Sequence, residues 1–121
     1  MIETTILEYL AERLTVPVLM ELPEVPSADY PTMPEEFVVI EKVGSKKTDH
    51  VVNDSIAFQS YSTIRMVNAA ELDEDVREAM DSIIELDEIG GVRLASNYNF
   101  TDIRTKRYRY QCIYEIYRVE E

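Results

Sequence analysis

Apolar residues recur at helical spacing in two stretches of the chain and at strand spacing in most of the others. Ile2, Ile6, Leu10 and Leu14 make one stripe over residues 2–14, which predicts a short amphipathic helix ended by Pro17. Val18 to Leu22 is a short apolar run that fits a strand. The stretch from Pro23 to Pro34 holds four of the five prolines and two acidic residues, so an extended connection over the surface is expected there. Phe37 to Val43 is rich in β-branched residues and apolar on both faces at its start, the pattern of a central strand. Gly44 to Asp49 is hydrophilic and turn-forming. The chain is then expected to return as a strand from His50 to Tyr61, with Ile56 and Phe58 on one face and Asn53, Ser55 and Gln59 on the other.

Ser62 or Thr63 is placed to cap the longest helix, expected over residues 63–86 and stopped by Gly90-Gly91. Leu72, Val76, Ala79, Ile83 and Leu86 would line its buried face, and acidic residues from Glu71 to Glu85 the remainder. Val92 to Phe100 alternates Val92, Leu94, Ser96, Tyr98 and Phe100 against Arg93, Ala95, Asn97 and Asn99, so it predicts a half-buried strand. In the last strand, Thr105 to Val119, Tyr108, Tyr110, Cys112, Tyr114 and Ile116 share one face. Arg107, Arg109, Gln111, Ile113, Glu115 and Tyr117 share the other, where Ile113 and Tyr117 are candidates for an interface. The order is α-β-β-β-α-β-β. The expected fold class is α+β: one domain over residues 1–121, with a mainly antiparallel sheet of about four to five strands and both helices packed on one face.

Composition narrows the function. With 45% hydrophobic residues in 121, the chain can bury a core. Twenty-four acidic and twelve basic residues give a formal charge of −12, which opposes binding to nucleic acid through its phosphates. The charge is uneven. Residues 1–41 carry nine acidic side chains and one basic, and residues 71–88 repeat that ratio. Residues 104–118 reverse it, with Arg104, Lys106, Arg107, Arg109 and Arg118 against Glu115. Acidic and basic ends of this kind can complement each other between neighbouring copies, and charge alone equally fits plain solvated faces. The first residues contain no basic run followed by an apolar one, and no stretch reaches the length of a membrane span, so a cytoplasmic site of synthesis is expected.

Catalytic chemistry finds little to stand on. The only histidine, His50, is expected beside a turn, and the only cysteine, Cys112, in mid-strand as a small core residue. The acidic run from Glu71 to Asp75 fails the calcium-loop pattern, because counting from Asp73 the sixth residue is Glu78 and the twelfth Ile84. No glycine-rich phosphate loop is present. Tyr108, Tyr110 and Tyr114 alternating with Arg107 and Arg109 are the most nucleic-acid-like feature, but alternate tyrosines on a strand more often pack a sheet. No catalytic residue, cofactor or metal site is expected.

The order of these segments carries a resemblance. A first helix and short strand precede a Pro-rich connection. Pro34-Glu-Glu-Phe-Val-Val-Ile-Glu-Lys-Val-Gly44 leads into a charged hairpin, and a strand ending Phe58-Gln-Ser-Tyr-Ser-Thr63 leads into a long acidic helix. The chain closes on Arg107-Tyr-Arg-Tyr-Gln-Cys-Ile-Tyr-Glu-Ile-Tyr-Arg118. It resembles the small tail-terminator (tail-completion) proteins of long-tailed bacteriophages over nearly its whole length, as a pattern of segments and not through one short motif. The resemblance implies a virion protein of the tail or neck, made in the host cytoplasm, that is not an enzyme. It implies a homo-oligomeric ring, a hexamer, capping the head-proximal end of the tail tube. The ring stops tube growth and joins the tail to the head connector, so its partners are further copies, the tail tube protein and neck proteins. DNA passes through such a ring without sequence-specific recognition, and no membrane is involved. Lys46, Lys47, Arg107 and Arg109 become candidates for contact with a neighbour or the tube, beside Ile113 and Tyr117. The alternatives are another neck or head-tail adaptor subunit, or an acidic cytoplasmic adaptor or inhibitor of a basic protein.

Overall fold

In the computed structural model, which describes residues 1–102, 104 and 107–120, the two apolar stripes become two helices on the same side of a sheet. Helix α1 (Ile2–Arg13) buries Ile2, Ile6, Tyr9 and Leu10. It ends one residue short of Leu14, whose extended backbone prepares the approach to Pro17. Strand β1 is Val18–Leu19 alone, shorter than the apolar run, because the chain leaves the sheet towards the proline segment. It lies parallel to β2 (Glu36–Thr48), with Val18 opposite Val38. Every other strand pair, among β2, β3 (Val51–Ser62), β4 (Gly91–Asn99) and β5 (Tyr108–Val119), is antiparallel. The five strands run in the order β1-β2-β3-β5-β4. The element order is the α-β-β-β-α-β-β read from the sequence, in a mixed sheet.

Three local expectations are corrected. Gly44 to Thr48 is not a turn but strand, and the turn is Asp49-His50 alone, both residues at positive φ (51° and 76°). A two-residue hairpin needs that backbone to match the right-handed twist of its strands. Val43 is a β-bulge, the extra residue between the pairs Lys42–Ile56 and Gly44–Ser55. The long helix is α2 (Met66–Asp81), shorter at both ends than expected. Ser62 does accept backbone N–H bonds, from Ile64 (3.2 Å) and Arg65 (3.3 Å), but these close a turn that precedes the helix. At the other end Asp81-Ser82, poor interior helix residues, give way to a 3₁₀ turn over Ile83–Glu85.

The third correction concerns β4. Ala95 is a bulge between the pairs Leu94–Tyr114 and Ser96–Ile113, so the simple alternation breaks there. Val92, Leu94, Asn97 and Asn99 share the helix side, and Arg93, Ser96 and Tyr98 the other. The expected alternation of β5 holds over its observed span, Tyr108–Val119, while its expected start at Thr105 lies outside the described residues. Cys112, Tyr114 and Ile116 join Val38, Ile40, Ile56 and Phe58 beneath Leu72, Val76, Met80 and Ile83 in the main core. Phe58 and Tyr114 meet edge to face at 6.0 Å.

Candidate interaction surface

The face of the sheet opposite the helices is the part of the molecule without a cover of secondary structure. At one corner Phe37, Val39 and Tyr61 form a second, small apolar cluster, with Leu19 and Met33 against it, and Phe37 stacks on Tyr61 at 4.7 Å. Beyond that corner the face is organised by directional polar contacts. Arg109 donates from one guanidinium nitrogen to the Tyr61 hydroxyl (3.0 Å), and Tyr61 donates to the Gln59 carbonyl oxygen (3.2 Å). The Gln59 amide donates to Gln111 (2.8 Å), whose own amide donates to the Tyr98 hydroxyl. The donors therefore all run one way, from a permanent cation on β5 to an exposed phenol on the edge strand β4. Such chains polarise and strengthen each member.

The six residues singled out in the sequence are distributed unevenly over this face. Arg109, Ile113 and Tyr117 lie on it together. Ile113 sits at its centre, half-buried, opposite Ala57 on β3 and Ser96 on β4. Tyr117 covers Gly91, where a Cβ would come within 3.4 Å of the Tyr117 ring. Arg109 is held by contacts within the chain: its Nε donates to the Phe100 carbonyl (2.7 Å), and its guanidinium lies 4.1 Å over the Phe100 ring. Lys46 is exposed on this face near the hairpin tip, opposite Asn53. Lys47 points to the helix side and pairs with Glu120 at 3.4 Å, so it does not join the others. Arg107 is exposed where the chain enters β5, bridged by backbone to Asp102. Lys106 and Thr105, part of the expected basic stretch and strand start, lie outside the described residues.

Two buried carboxylates escaped the reading of the sequence. Asp54 is fully buried on the helix side of the hairpin, bound by Arg118 (2.9 Å) and Ser45 (2.8 Å) with Lys42 at 3.8 Å. Only the register, which sets Asp54 between Ser45 and Ile116, brings these groups together. Asp73, expected among the solvated acids of α2, is buried against Arg77 (3.0 Å) and Asn97 (2.8 Å). Asn97 reaches it because the Ala95 bulge turns that side chain to the helix side. Both carboxylates are matched by cations, although Asp73 Oδ1 has no hydrogen-bond partner among the described residues.

Cys112 is fully buried beside Asp73. Burial first, then the Asp73 charge, push its thiol far above the ordinary range, which keeps it protonated and unreactive at neutral pH. Burial and Asp81 push Tyr114 up in the same way, and its hydroxyl donates to Asp81 at 3.1 Å. His50 is exposed at the hairpin tip. Between the helices a shallow cleft of about 560 Å³ is lined by Tyr9, Arg13, Asp75 and Glu78, with Arg13 bonded to Glu85 at 2.6 Å. Among the described residues no group of three or more His, Cys, Asp or Glu side chains is arranged to hold a metal ion, and no helix is long and apolar enough to cross a membrane. Compared with known protein families and with curated proteins, the chain matches none.

Proposed function

We propose that this chain is a structural assembly subunit of the tail-terminator type, which closes as a ring on the head-proximal end of a phage tail tube. The ring ends tube growth and offers a surface to the head connector. The observation that supports this most is the helix-free sheet face. It is ordered by its own hydrogen bonds, no helix lies over it, and it gathers Arg109, Ile113 and Tyr117, which suits packing against a neighbouring subunit or the tube. The α+β arrangement is also the one the resemblance implies.

The acidic exterior of α2 favours a second function, an adaptor that binds a basic protein. Glu71, Glu74, Asp75, Glu78 and Asp81 are all exposed along that helix. The two functions separate on assembly. The ring subunit forms closed species of about six copies with a central opening, visible by native mass spectrometry and electron microscopy, alone or with tube present. A chain that stays monomeric at every concentration and salt, even beside purified tail tube, overturns the terminator function. A one-to-one complex with a basic polypeptide that weakens steeply with salt establishes the adaptor.

A further inference from the structure

The sheet is open along both of its lateral edges. On one side β1 covers β2 only at Val38 and Val39, so over residues 40–48 no strand lies against the outer side of β2 among the described residues. On the other side none lies against the outer side of β4, from Gly91 to Asn99. Each stretch carries backbone donors and acceptors on its outer side that only a further strand or water satisfies. Native chains mostly shorten or cover such edges, because they are templates for pairing with another strand.

The register sets the two open stretches level with each other. Lys46, Asn53, Tyr117 and Gly91 stand in one row across the sheet, and Glu41, Ala57, Ile113 and Ser96 in another. Between those rows each edge strand carries one bulge, Val43 in β2 and Ala95 in β4. β1 stops short of this zone, since Val38 and Val39 share the rows of Asn99 and Tyr98. Three antiparallel pairings separate β2 from β4, so the two run in opposite directions. A copy displaced sideways without being turned over therefore brings its β2 antiparallel to the first copy's β4, with the bulges at nearly the same level. The side chains agree with that placement. Arg93 on β4 and Glu41 on β2 are exposed on the helix-free face, and neither makes an ion pair among the described residues. Side by side they become diagonal neighbours across the joint. Lys46, also exposed and unpaired, comes level with Gly91, next to the exposed Asp87 and Glu88 that lead into β4. Val43 and Leu94, one on each edge at the level of the bulges, are exposed apolar side chains.

We propose that residues 91–96 of one copy pair antiparallel with residues 41–46 of the next, so that the sheets of successive copies join into one. The contact is heterologous: each copy offers one edge of each kind, and the series closes when the rotation per copy permits. Bulges and charges bar a flat, regular strand from either edge, whereas a second copy meets both with its own. This rests on the ring function proposed above and names its subunit interface. The helix-free faces then lie side by side around the ring and stay open to the tube.

The experiment is backbone hydrogen exchange read by mass spectrometry on the assembled protein and on the dilute, isolated chain. Peptides covering residues 40–47 and 91–96 should both exchange at least ~10-fold more slowly after assembly, as outer amides gain partners. Light scattering across concentration, with circular dichroism to check folding, then tests the charges. Arg93→Glu alone and Glu41→Arg alone should each raise the concentration needed for assembly at least ~3-fold, because like charges then meet across the joint. Both changes in one chain should restore it. Rings whose two edges exchange as in the isolated chain overturn this interface and leave the ring function standing. Slowing at β4 alone overturns the heterologous pairing in favour of a two-fold contact between β4 strands. Single variants that assemble like the wild type, or a double variant that does not recover, overturn the level register. A chain that never self-associates, alone or beside tail tube, overturns this contact and the ring function together.

Discussion

The two faces of the same sheet are held by different physics. On the helix side, alternate residues of β2, β3 and β5 are locked by volume: Ile40, Ile56, Phe58 and Ile116 pack under two helices with almost no exposure. On the other side, the residues between them are held by a directed chain of hydrogen bonds from Arg109 to Tyr98 and by one stacked aromatic pair. Volume-driven packing is complete in itself and asks for no partner. A polar, half-buried face keeps its shape while leaving area at Ile113, Tyr117 and Tyr98 open, which is what an assembly surface needs. The difference also shows why the hairpin extension is not a loop. Beyond the helices its buried side is closed by ions, Asp54 with Arg118 and Lys42, where the core runs out.

The largest test of this contrast is truncation on either side. Phe58→Ala removes a fully buried ring and is expected to cost about 3–5 kcal/mol in chemical denaturation. Ile113→Ala, half-buried on the helix-free face, is expected to cost about 1 kcal/mol in the monomer. Comparable losses at the two positions would show that the second face is as dependent on packing as the first.

Ion closure of the hairpin gives the next effect. Asp54→Ala leaves Arg118 with Glu120 alone and Lys42 without its partner, and is expected to cost about 2–3 kcal/mol, somewhat less than a sealed pair because both cations reach solvent. Lys47→Ala, which removes only an exposed pair, is expected to change stability by under about 0.5 kcal/mol. An Asp54 variant as stable as wild type would mean that water already serves the carboxylate.

Much of the helix side was legible in the sequence, and the reasons are specific. Ile2, Ile6 and Leu10 announce α1, and the alternation of Cys112, Tyr114 and Ile116 assigns the buried face of β5 correctly. What was not legible depends on register. Val43 and Ala95 look like ordinary strand residues, yet each is a bulge that moves every later side chain to the other face. That shift puts Asn97 beside Asp73 and makes a buried carboxylate from a residue set among the exposed acids Glu71, Glu74 and Asp75. The donor chain of Gln59, Gln111 and Tyr98 likewise exists only once β3, β5 and β4 are aligned. Lys46 and Lys47 were read as equivalent because the hairpin turn was placed too early.

Cys112 sharpens the comparison through pH. Cys112→Ser replaces a buried thiol by a hydroxyl for which Asp73 is the neighbouring acceptor, and is expected to lower stability by about 1 kcal/mol at neutral pH, the low end for a buried polar group. Titration adds a second signature. The thiol is raised in the folded chain above its ordinary value of 9.0, first by burial and then by Asp73, with Arg77 opposing. The folded state therefore keeps its proton where the unfolded state has lost it. The contribution is whole below about pH 9 and is lost as pH rises, at about 1.4 kcal/mol per unit. Tyr114 adds the same sign from its ordinary value of 10.0 upward. Cys112→Ala should accordingly delay the alkaline fall of the melting temperature towards the tyrosine range. The same onset in both proteins would show that water reaches the thiol.

A smaller effect bears most directly on the helix-free face. Tyr61→Phe deletes a hydroxyl that accepts from Arg109 and donates to Gln59, and keeps the ring stacked on Phe37. Arg109 retains the Phe100 carbonyl and the cation–π contact, so it is not left bare. The cost in denaturation should be about 1 kcal/mol, the net value of a typical internal hydrogen bond. If the chain is cooperative, the effect must reach the far end. A double-mutant cycle of Tyr61→Phe with Tyr98→Phe, whose hydroxyls are separated by two glutamines, should then show a coupling of about 0.5 kcal/mol, although the side chains do not touch. Strict additivity would reduce the row to separate pairs, and the face would owe its order to the strands beneath it.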